Sequence, residues 1–206
     1  MNDRGAVVIC GGQSRRMGRP KAWLPFGPER MLQRVVRLVS SVVGPVVVVA
    51  APGQELPELP ASVQIIRDPV SDQGPLRGLA AGLASLPDTV DLVYASATDV
   101  PFLQPAWVEL LACLIEGHDL IVPKVDGYLH PLAALYRRGP VLLDAEALLA
   151  SERFRPAFLL DVLRGRTVDA SILVQADPTL ATLRNLNTPE DYRQAVVDAG
   201  FTFEET

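Results

Sequence analysis

Short β-branched runs alternate with longer amphipathic stretches along this chain, and that alternation limits its fold more than any other feature. Ala6-Val7-Val8-Ile9 reads as a buried strand. From Glu29 to Val43, the apolar positions Leu32, Val35, Val36, Val39, Val42 and Val43 recur three and four apart. This spacing predicts a helix that Gly44-Pro45 stops. Val46 to Val49 and Val63 to Ile66 read as strands, and Leu76 to Leu86 has helical spacing. Asp91 to Ala95 is a strand, Pro105 to Glu116 a helix with proline in its first turn, and Leu120-Ile121-Val122 a further strand. Strands alternating with helices give βαβ units with right-handed crossovers and helices on both faces. After Gly127 the pattern loosens. A strand is expected at Leu132 to Tyr136, with helices around Pro140 to Ala150 and Pro156 to Leu163. A strand near Thr167 to Val174 follows, then a helix from Pro189 to Ala199 capped by Thr188, with acids in its first turn. The expected fold class is α/β: one domain, three α/β/α layers, Rossmann-like, with a mixed and mostly parallel sheet.

Composition excludes several function classes. Of 206 residues, 49% are apolar, enough to offset chain entropy in a packed core and to exclude a disordered chain. A net charge of -5 with no basic stripe argues against a nucleic-acid partner. The longest aliphatic run, Val46 to Ala51, falls far short of the ~20 residues that span a membrane, so no membrane partner is expected. The N-terminus opens straight into a strand and has no basic and apolar leader, which predicts a cytoplasmic protein. Cys10 and Cys113 both lie in apolar stretches and are expected to be buried, reduced thiols. Eighteen prolines, roughly 9% against a typical ~5%, punctuate the elements rather than forming a proline-rich tail.

Ligands of open parallel sheets bind beyond the carboxyl ends of the strands, so the loops there matter most. The loop after the first strand reads Gly11-Gly12-Gln13-Ser14-Arg15-Arg16-Met17-Gly18-Arg19-Pro20-Lys21. Glycines let backbone N–H groups approach phosphate oxygens, and Ser14 adds a hydroxyl. Arg15, Arg16, Arg19 and Lys21 concentrate positive charge in an acidic protein, which points to a polyphosphate. Neither a Walker loop nor a dinucleotide fingerprint is present. The bland alternative is a glycine-rich turn with solvated arginines. Four more groups stand at suitable places: Asp68, Gly74-Pro75, Asp99 in Ala97-Thr98-Asp99-Val100-Pro101-Phe102, and His130 in Gly127-Tyr128-Leu129-His130-Pro131-Leu132. A carboxylate such as Asp99 at the carboxyl edge can hold Mg²⁺ with a nucleotide. Taken alone, each of these also reads as an ordinary turn or helix start, and His130 as a structural histidine. Asn185 and Asn187 are expected on alternate positions of a short strand, pointing to one face.

Gly-Gly-x-Ser-x-Arg-Met-Gly-x-x-Lys resembles the signature loop of the molybdenum cofactor guanylyltransferases (MobA-like), within the wider nucleotidyltransferase superfamily. The later stretches Gly74-Pro75-Leu76-Arg77-Gly78, Asp99-Val100-Pro101, His130-Pro131 and Asn185-Leu186-Asn187-Thr188-Pro189-Glu190-Asp191 fit that family in the same order, so the resemblance spans nearly the whole chain. It implies a nucleotide held by Ile9, Cys10, Gly11, Gly12, Ser14, Arg15, Lys21, Asp68, Gly74, Pro75 and Asp99. It implies catalytic roles for Arg16, Lys21 and Asp99, and acceptor contact by His130, Asn185 and Asn187. Mg²⁺ would be held by Asp99 and Asn187. A nucleotide-binding half would cover about residues 1–104 and an acceptor-binding half about 105–206. The implied reaction moves GMP from GTP to the phosphate of Mo-molybdopterin, with transient contact to other proteins of molybdenum cofactor biosynthesis or to molybdoenzymes. Departures exist: Pro20 stands where the family often has Asp, Cys10 where it has Ala, and Thr98 where it usually has Cys. Gly11-Gly12 favours the guanylyl branch, because cytidylyl relatives usually show Ala-Gly. The competing readings are a cytidylyltransferase or sugar-phosphate nucleotidylyltransferase with the same loop, and a non-catalytic nucleotide-binding regulator.

Overall fold

A parallel strand covered on both faces must be apolar on both, and the first strands satisfy that demand. In the computed structural model, which describes residues 3–11, 17–68 and 74–203, Ala6, Val7 and Val8 of β1 (Arg4–Ile9) and all five residues of β4 (Val46–Ala50) are buried. In chain order the elements begin with β1, β2 (Pro25–Phe26), β3 (Glu29–Arg30), α1 (Met31–Ser40), β4, β5 (Val63–Arg67), α2 (Pro75–Ser85) and β6 (Leu92–Ala97). They continue with α3 (Pro105–Leu114), β7 (Leu120–Val125), β8 (Tyr128–Leu129), β9 (Ala133–Arg137), α4 (Arg138–Ala150), β10 (Gly165–Asp169), α5 (Ala170–Leu173) and α6 (Pro189–Asp198).

The main sheet has the order β10-β7-β9-β6-β1-β4-β5, with β8 paired to β7. Strands β5, β4, β1 and β6 are mutually parallel, β9 runs against both β6 and β7, and β10 is parallel to β7. The chain steps outward from β1 to β4 and β5, then returns to β6 on the other side of β1. A crevice opens where strand order reverses in this way, outside the carboxyl ends of β1 and β6.

Two apolar layers hold helices to the sheet. Leu32, Val35, Val36 and Val39 of α1 pack with Trp107, Val108 and Leu111 of α3 on one face. Leu76, Leu79 and Leu83 of α2 pack with Val141, Ala145 and Leu148 of α4 on the other. The result is the expected α/β/α arrangement with a mixed, mostly parallel sheet. No helix among the described residues is long and apolar enough to cross a membrane.

Four local expectations need correction. The helix expected from Glu29 starts at Met31, because Glu29 and Arg30 pair with Pro25 and Phe26 in a small hairpin. Gly27 turns that hairpin at φ +63, and a Cβ there would stand 2.4 Å from the Phe201 ring. The strand expected to reach Val174 ends at Asp169, and Ala170–Leu173 coils into α5, which buries Leu173 in the α1/α3 layer. The helix expected at Pro156 to Leu163 is a tighter 3₁₀ turn, Pro156–Asp161. Cys113 is exposed on α3, whereas Cys10 is buried, and both are free thiols.

A third apolar cluster lies at the carboxyl edge. Met17, Leu24, Phe26 and Met31 meet Leu186, Ala195 and Val196, with Phe102, Tyr192, Phe201 and Phe203 around them. Phe26 meets Phe102 and Phe201 edge to face, each at 5.8 Å between ring centres. The Arg34 guanidinium lies 4.8 Å from the centre of the Phe26 ring. This cluster fastens α6 to the segment that follows the first loop.

Candidate active site

Three loops converge at the crevice beyond β1 and β6, and each is held by short-range bonds. After β1, Cys10 N–H donates to Val49 O at 2.7 Å. After β4, Gln54 closes a turn: its Oε1 accepts from Ala51 N–H at 2.9 Å, and its Nε2 donates to Cys10 O at 2.9 Å. After β6, Thr98 Oγ1 donates to Ile9 O at 3.1 Å. The hydroxyl found in place of the family's thiol thus ties the ends of β1 and β6 together. Burial raises the Cys10 thiol above its usual pKa, against the lowering influence of hydrogen bonds from Thr98 and Gln54. Cys10 is therefore a packing and hydrogen-bonding group with little thiolate at neutral pH.

Lys21 opens a 3₁₀ turn, Lys21–Trp23, after Pro20 at φ -62. Its Nζ donates to Asp99 Oδ2 at 2.6 Å and to Asn187 Oδ1 at 3.0 Å. Asn185 Nδ2 donates to the other Asp99 oxygen, Oδ1, at 2.9 Å. The side chains of Lys21 and Asp99 are 20% and 13% exposed, so the pair is shielded enough to matter and open enough for a ligand to reach. Four of the expected residues thereby form one hydrogen-bonded cluster, drawn from the loops after β1 and β6 and from the segment before α6.

The two asparagines do face one way, without the short strand expected to carry them. Residues 184–187 belong to neither a strand nor a helix. Leu186 between them is fully buried in the third cluster, and its N–H donates to Asp99 O at 3.0 Å. With Leu186 turned into that cluster, Asn185 and Asn187 both reach the Lys21–Asp99 pair. The segment is anchored by a capping box: Thr188 Oγ1 accepts from Asp191 N–H at 3.1 Å, and Asp191 Oδ2 accepts from Thr188 N–H at 2.9 Å. Bonds from Thr188 hold the Asp191 carboxyl below its usual pKa.

The remaining expected residues that the structure describes lie along the same edge. Ile9 ends β1, and Gly11 is exposed; among the described residues the nearest neighbour of a Cβ there would be Ala51 N at 3.9 Å. Gly12, Ser14, Arg15 and Arg16 lie outside the described residues. Asp68 follows β5 and its N–H donates to Ala50 O at 2.9 Å. Gly74 caps α2 at φ +82, where a Cβ would stand 2.8 Å from Phe154 O, and Pro75 takes the first helical position. His130 turns between β8 and β9, its N–H donating to Pro123 O at 2.9 Å. Tyr136 Oη donates to Pro131 O at 2.7 Å and pins that turn. Burial lowers the His130 pKa, with Asp126 pulling the other way, so the ring is neutral at pH 7. Among the described residues, no hydrogen bond joins His130 to the Lys21 cluster.

The sequence reading missed Gln54 and the hairpin. Pro52-Gly53 directly after a strand marked a turn at the edge, and a polar residue following it was the signal for Gln54. A cleft of about 520 Å³ opens beside Pro20, lined among the described residues by Pro20, Trp23, Gln54 and Glu55. That volume is in the range of small-molecule sites.

The oxygen donors around the Lys21 ammonium are hard ones, a carboxylate and an amide carbonyl, the kind Mg²⁺ takes. Among the described residues no group of three or more His, Cys, Asp or Glu side chains forms a metal cage. Mg²⁺ usually takes one or two carboxylates together with substrate phosphates, so the donor set fits that ion as a companion of a phosphate ligand.

Known proteins sharpen this picture. Residues 6–168 match the family described as the MobA-like NTP transferase domain. A Mycobacterium avium protein named "Probable molybdenum cofactor guanylyltransferase" is 41% identical over 191 residues, 91% of this chain and 92% of that one. A protein of the same name from Natranaerobius thermophilus is 28% identical over 197 residues, covering 92% and 93%. In fold, the chain is similar to molybdopterin-guanine dinucleotide biosynthesis protein A from Archaeoglobus fulgidus, with a TM-score of 0.77 at 23% identity, covering 95% of this chain and 98% of that one. A cationic loop after β1, a carboxylate after β6 and an asparagine pair before α6, in one molecule matched along most of its length, lead to one conclusion: this chain belongs to the MobA-like NTP transferase family of nucleotidyltransferases.

Proposed function

We propose that this protein transfers GMP from GTP to the phosphate of Mo-molybdopterin, forming molybdopterin guanine dinucleotide and releasing pyrophosphate. The observation that carries the reading is the convergence of Lys21, Asp99 and Asn187 within 3.0 Å contacts at the sheet's carboxyl edge. The names of the relatives supply the choice of guanylyl group and acceptor. In this reading the chain divides into a nucleotide half, about 1–104, and an acceptor half, about 105–206, and works in the cytoplasm with transient contacts to partner proteins of the same cofactor route.

The chemistry is set by charge. A triphosphate carries about four negative charges, and the acceptor phosphate brings more, so the two repel unless cations intervene. Lys21 neutralises and orients the phosphates, with Arg16 assigned the same task by family resemblance. Asp99 and Asn187 would hold Mg²⁺, which when bound screens the triphosphate and favours departure of pyrophosphate. An acceptor phosphate oxygen forms a bond to the α-phosphorus while the α–β bridging P–O bond breaks and its electron pair leaves with pyrophosphate. The nucleophile is already anionic, so no general base is required. Neutral His130 can donate or accept a hydrogen bond at the acceptor side without adding charge.

Mixing the protein with Mo-molybdopterin, Mg²⁺ and each of GTP, CTP, ATP and UTP tests this directly. Mass analysis should find a dinucleotide product with GTP, together with one pyrophosphate per product. A cytidine product with CTP in preference to GTP would overturn the guanylyl assignment.

A further inference from the structure

The side-chain oxygens of Asp99 and Asn187, the two residues assigned to the divalent cation, each already accept a hydrogen bond. Asp99 Oδ2 and Asn187 Oδ1 both receive the Lys21 ammonium, at 2.6 and 3.0 Å, and Asp99 Oδ1 receives the Asn185 amide at 2.9 Å. The Asp99 side chain is only 13% exposed, so its contact with the ammonium is partly shielded from solvent. A divalent ion bound to Asp99 Oδ2 would place its double charge within a few ångströms of the Lys21 ammonium. Their repulsion in a partly shielded site is far from negligible.

We propose that Lys21 and the divalent cation are mutually exclusive occupants of the Asp99–Asn187 oxygen pair, so that the chain on its own binds the free ion poorly. This inference rests on the assignment of Asp99 and Asn187 as cation donors in the preceding reading. A triphosphate changes the balance, because its anionic oxygens give the flexible Lys21 ammonium another partner. As Lys21 moves to the phosphates, Asp99 Oδ2 and Asn187 Oδ1 become available to a cation that also takes phosphate oxygens. Nucleotide and metal then bind with positive coupling, and linkage requires each to strengthen the other equally. The mutual exclusion also keeps a partly buried carboxylate compensated at all times, by an ammonium before the triphosphate arrives and by a metal afterwards. Asn185 keeps its bond to Oδ1 in both arrangements and acts as a positioning residue for the carboxylate.

The test uses Mn²⁺ alone as the probe, with free Mn²⁺ read by electron paramagnetic resonance and neither nucleotide nor acceptor present. Wild type, Lys21→Met and Lys21→Ala are compared, each checked for an unchanged melting transition. Both variants should bind Mn²⁺ at least about tenfold more tightly than wild type, a coupling of ordinary size. Adding Asp99→Asn to Lys21→Met should abolish that gain. Equal or weaker binding by both variants would overturn the proposal, as would a gain that survives Asp99→Asn. Because no nucleotide enters the measurement, a failure here is separable from a failure of the guanylyl assignment, which the product analysis decides.

Discussion

A lysine, an aspartate and two asparagines do not make a site until their geometry is fixed, and here each is fixed by its neighbour rather than by its own type. Leu186 is buried between the two asparagines, and their side chains meet Asp99 and Lys21. Thr98 ties the strand end before Asp99 to Ile9. If Lys21 and Asp99 supply electrostatic stabilisation to the reacting phosphates, Lys21→Ala and Asp99→Ala should each lower turnover by a factor on the order of 10² or more. Pyrophosphate release from GTP with acceptor present measures it, and near-wild-type rates in both variants would remove them from the chemistry. These residues were legible in the sequence because type, order and strand-end position all coincide. Their bonds to one another were not, since sequence distance says nothing about which side chain an ammonium will meet. Thr98 looked like a departure from the family pattern and turns out to be a fastening.

Elements were legible where their periodicity was driven by burial against the sheet, as in β1, β4, α1 and α2. They were misread where tertiary contacts outweighed local pattern. Glu29 and Arg30 continue the helical spacing of α1, yet the Gly27 turn draws them into a hairpin. Ile172 and Leu173 extend an apolar run, yet they coil into α5 because Leu173 reaches the α1/α3 layer that way. Cys113 sits in an apolar stretch but on the outward side of α3, a position that the stretch alone does not reveal. The start of β7 carries a testable electrostatic feature. Asp119 is buried and accepts from Arg164 Nε at 3.1 Å and Nη2 at 3.0 Å, joining β7 to the residue before β10. The Arg164 hydrogen bonds hold the Asp119 carboxyl below its ordinary pKa. The unfolded chain therefore binds the proton more readily, and the pair's contribution is complete above about pH 4 and lost as pH falls through the lower folded value. Asp119→Asn should melt at a lower temperature than wild type at pH 7. That gap should narrow steadily as thermal scans are repeated from pH 4 down to pH 2, and a gap independent of pH would contradict the assignment.

Over the whole molecule, the third apolar cluster is what the sequence concealed most fully. It joins residues near positions 17–31 to residues 186–203, and only folding brings them together. Gly27→Ala tests how far the site depends on it. A Cβ there would stand 2.4 Å from the Phe201 ring and would also strain a backbone at φ +63. Displacing Phe201 disturbs the packing of α6 and, through it, the placement of Asn187. Turnover should fall by roughly tenfold to a hundredfold, as it does when reacting groups are displaced by about 1 Å. Gly117→Ala is the control: its φ is +74, but no described residue lies within 4 Å of the added Cβ. A loss of turnover equal in both variants would trace the effect to backbone strain alone.

The bond from Lys21 to Asn187 spans 166 positions of chain, and the one from Lys21 to Asp99 spans 78. Chains generally begin folding from the N-terminal side while synthesis continues. A ribosome that has delivered β1 through β6 has already supplied the ammonium and the carboxylate, but the asparagines that complete the cluster are far behind. Until residue 187 emerges, Lys21 and Asp99 can pair without the partners that aim them. The hydrogen-bonded cluster is therefore among the last features of this protein to mature, and a half-made chain carries the ammonium and the carboxylate without the asparagines that complete it.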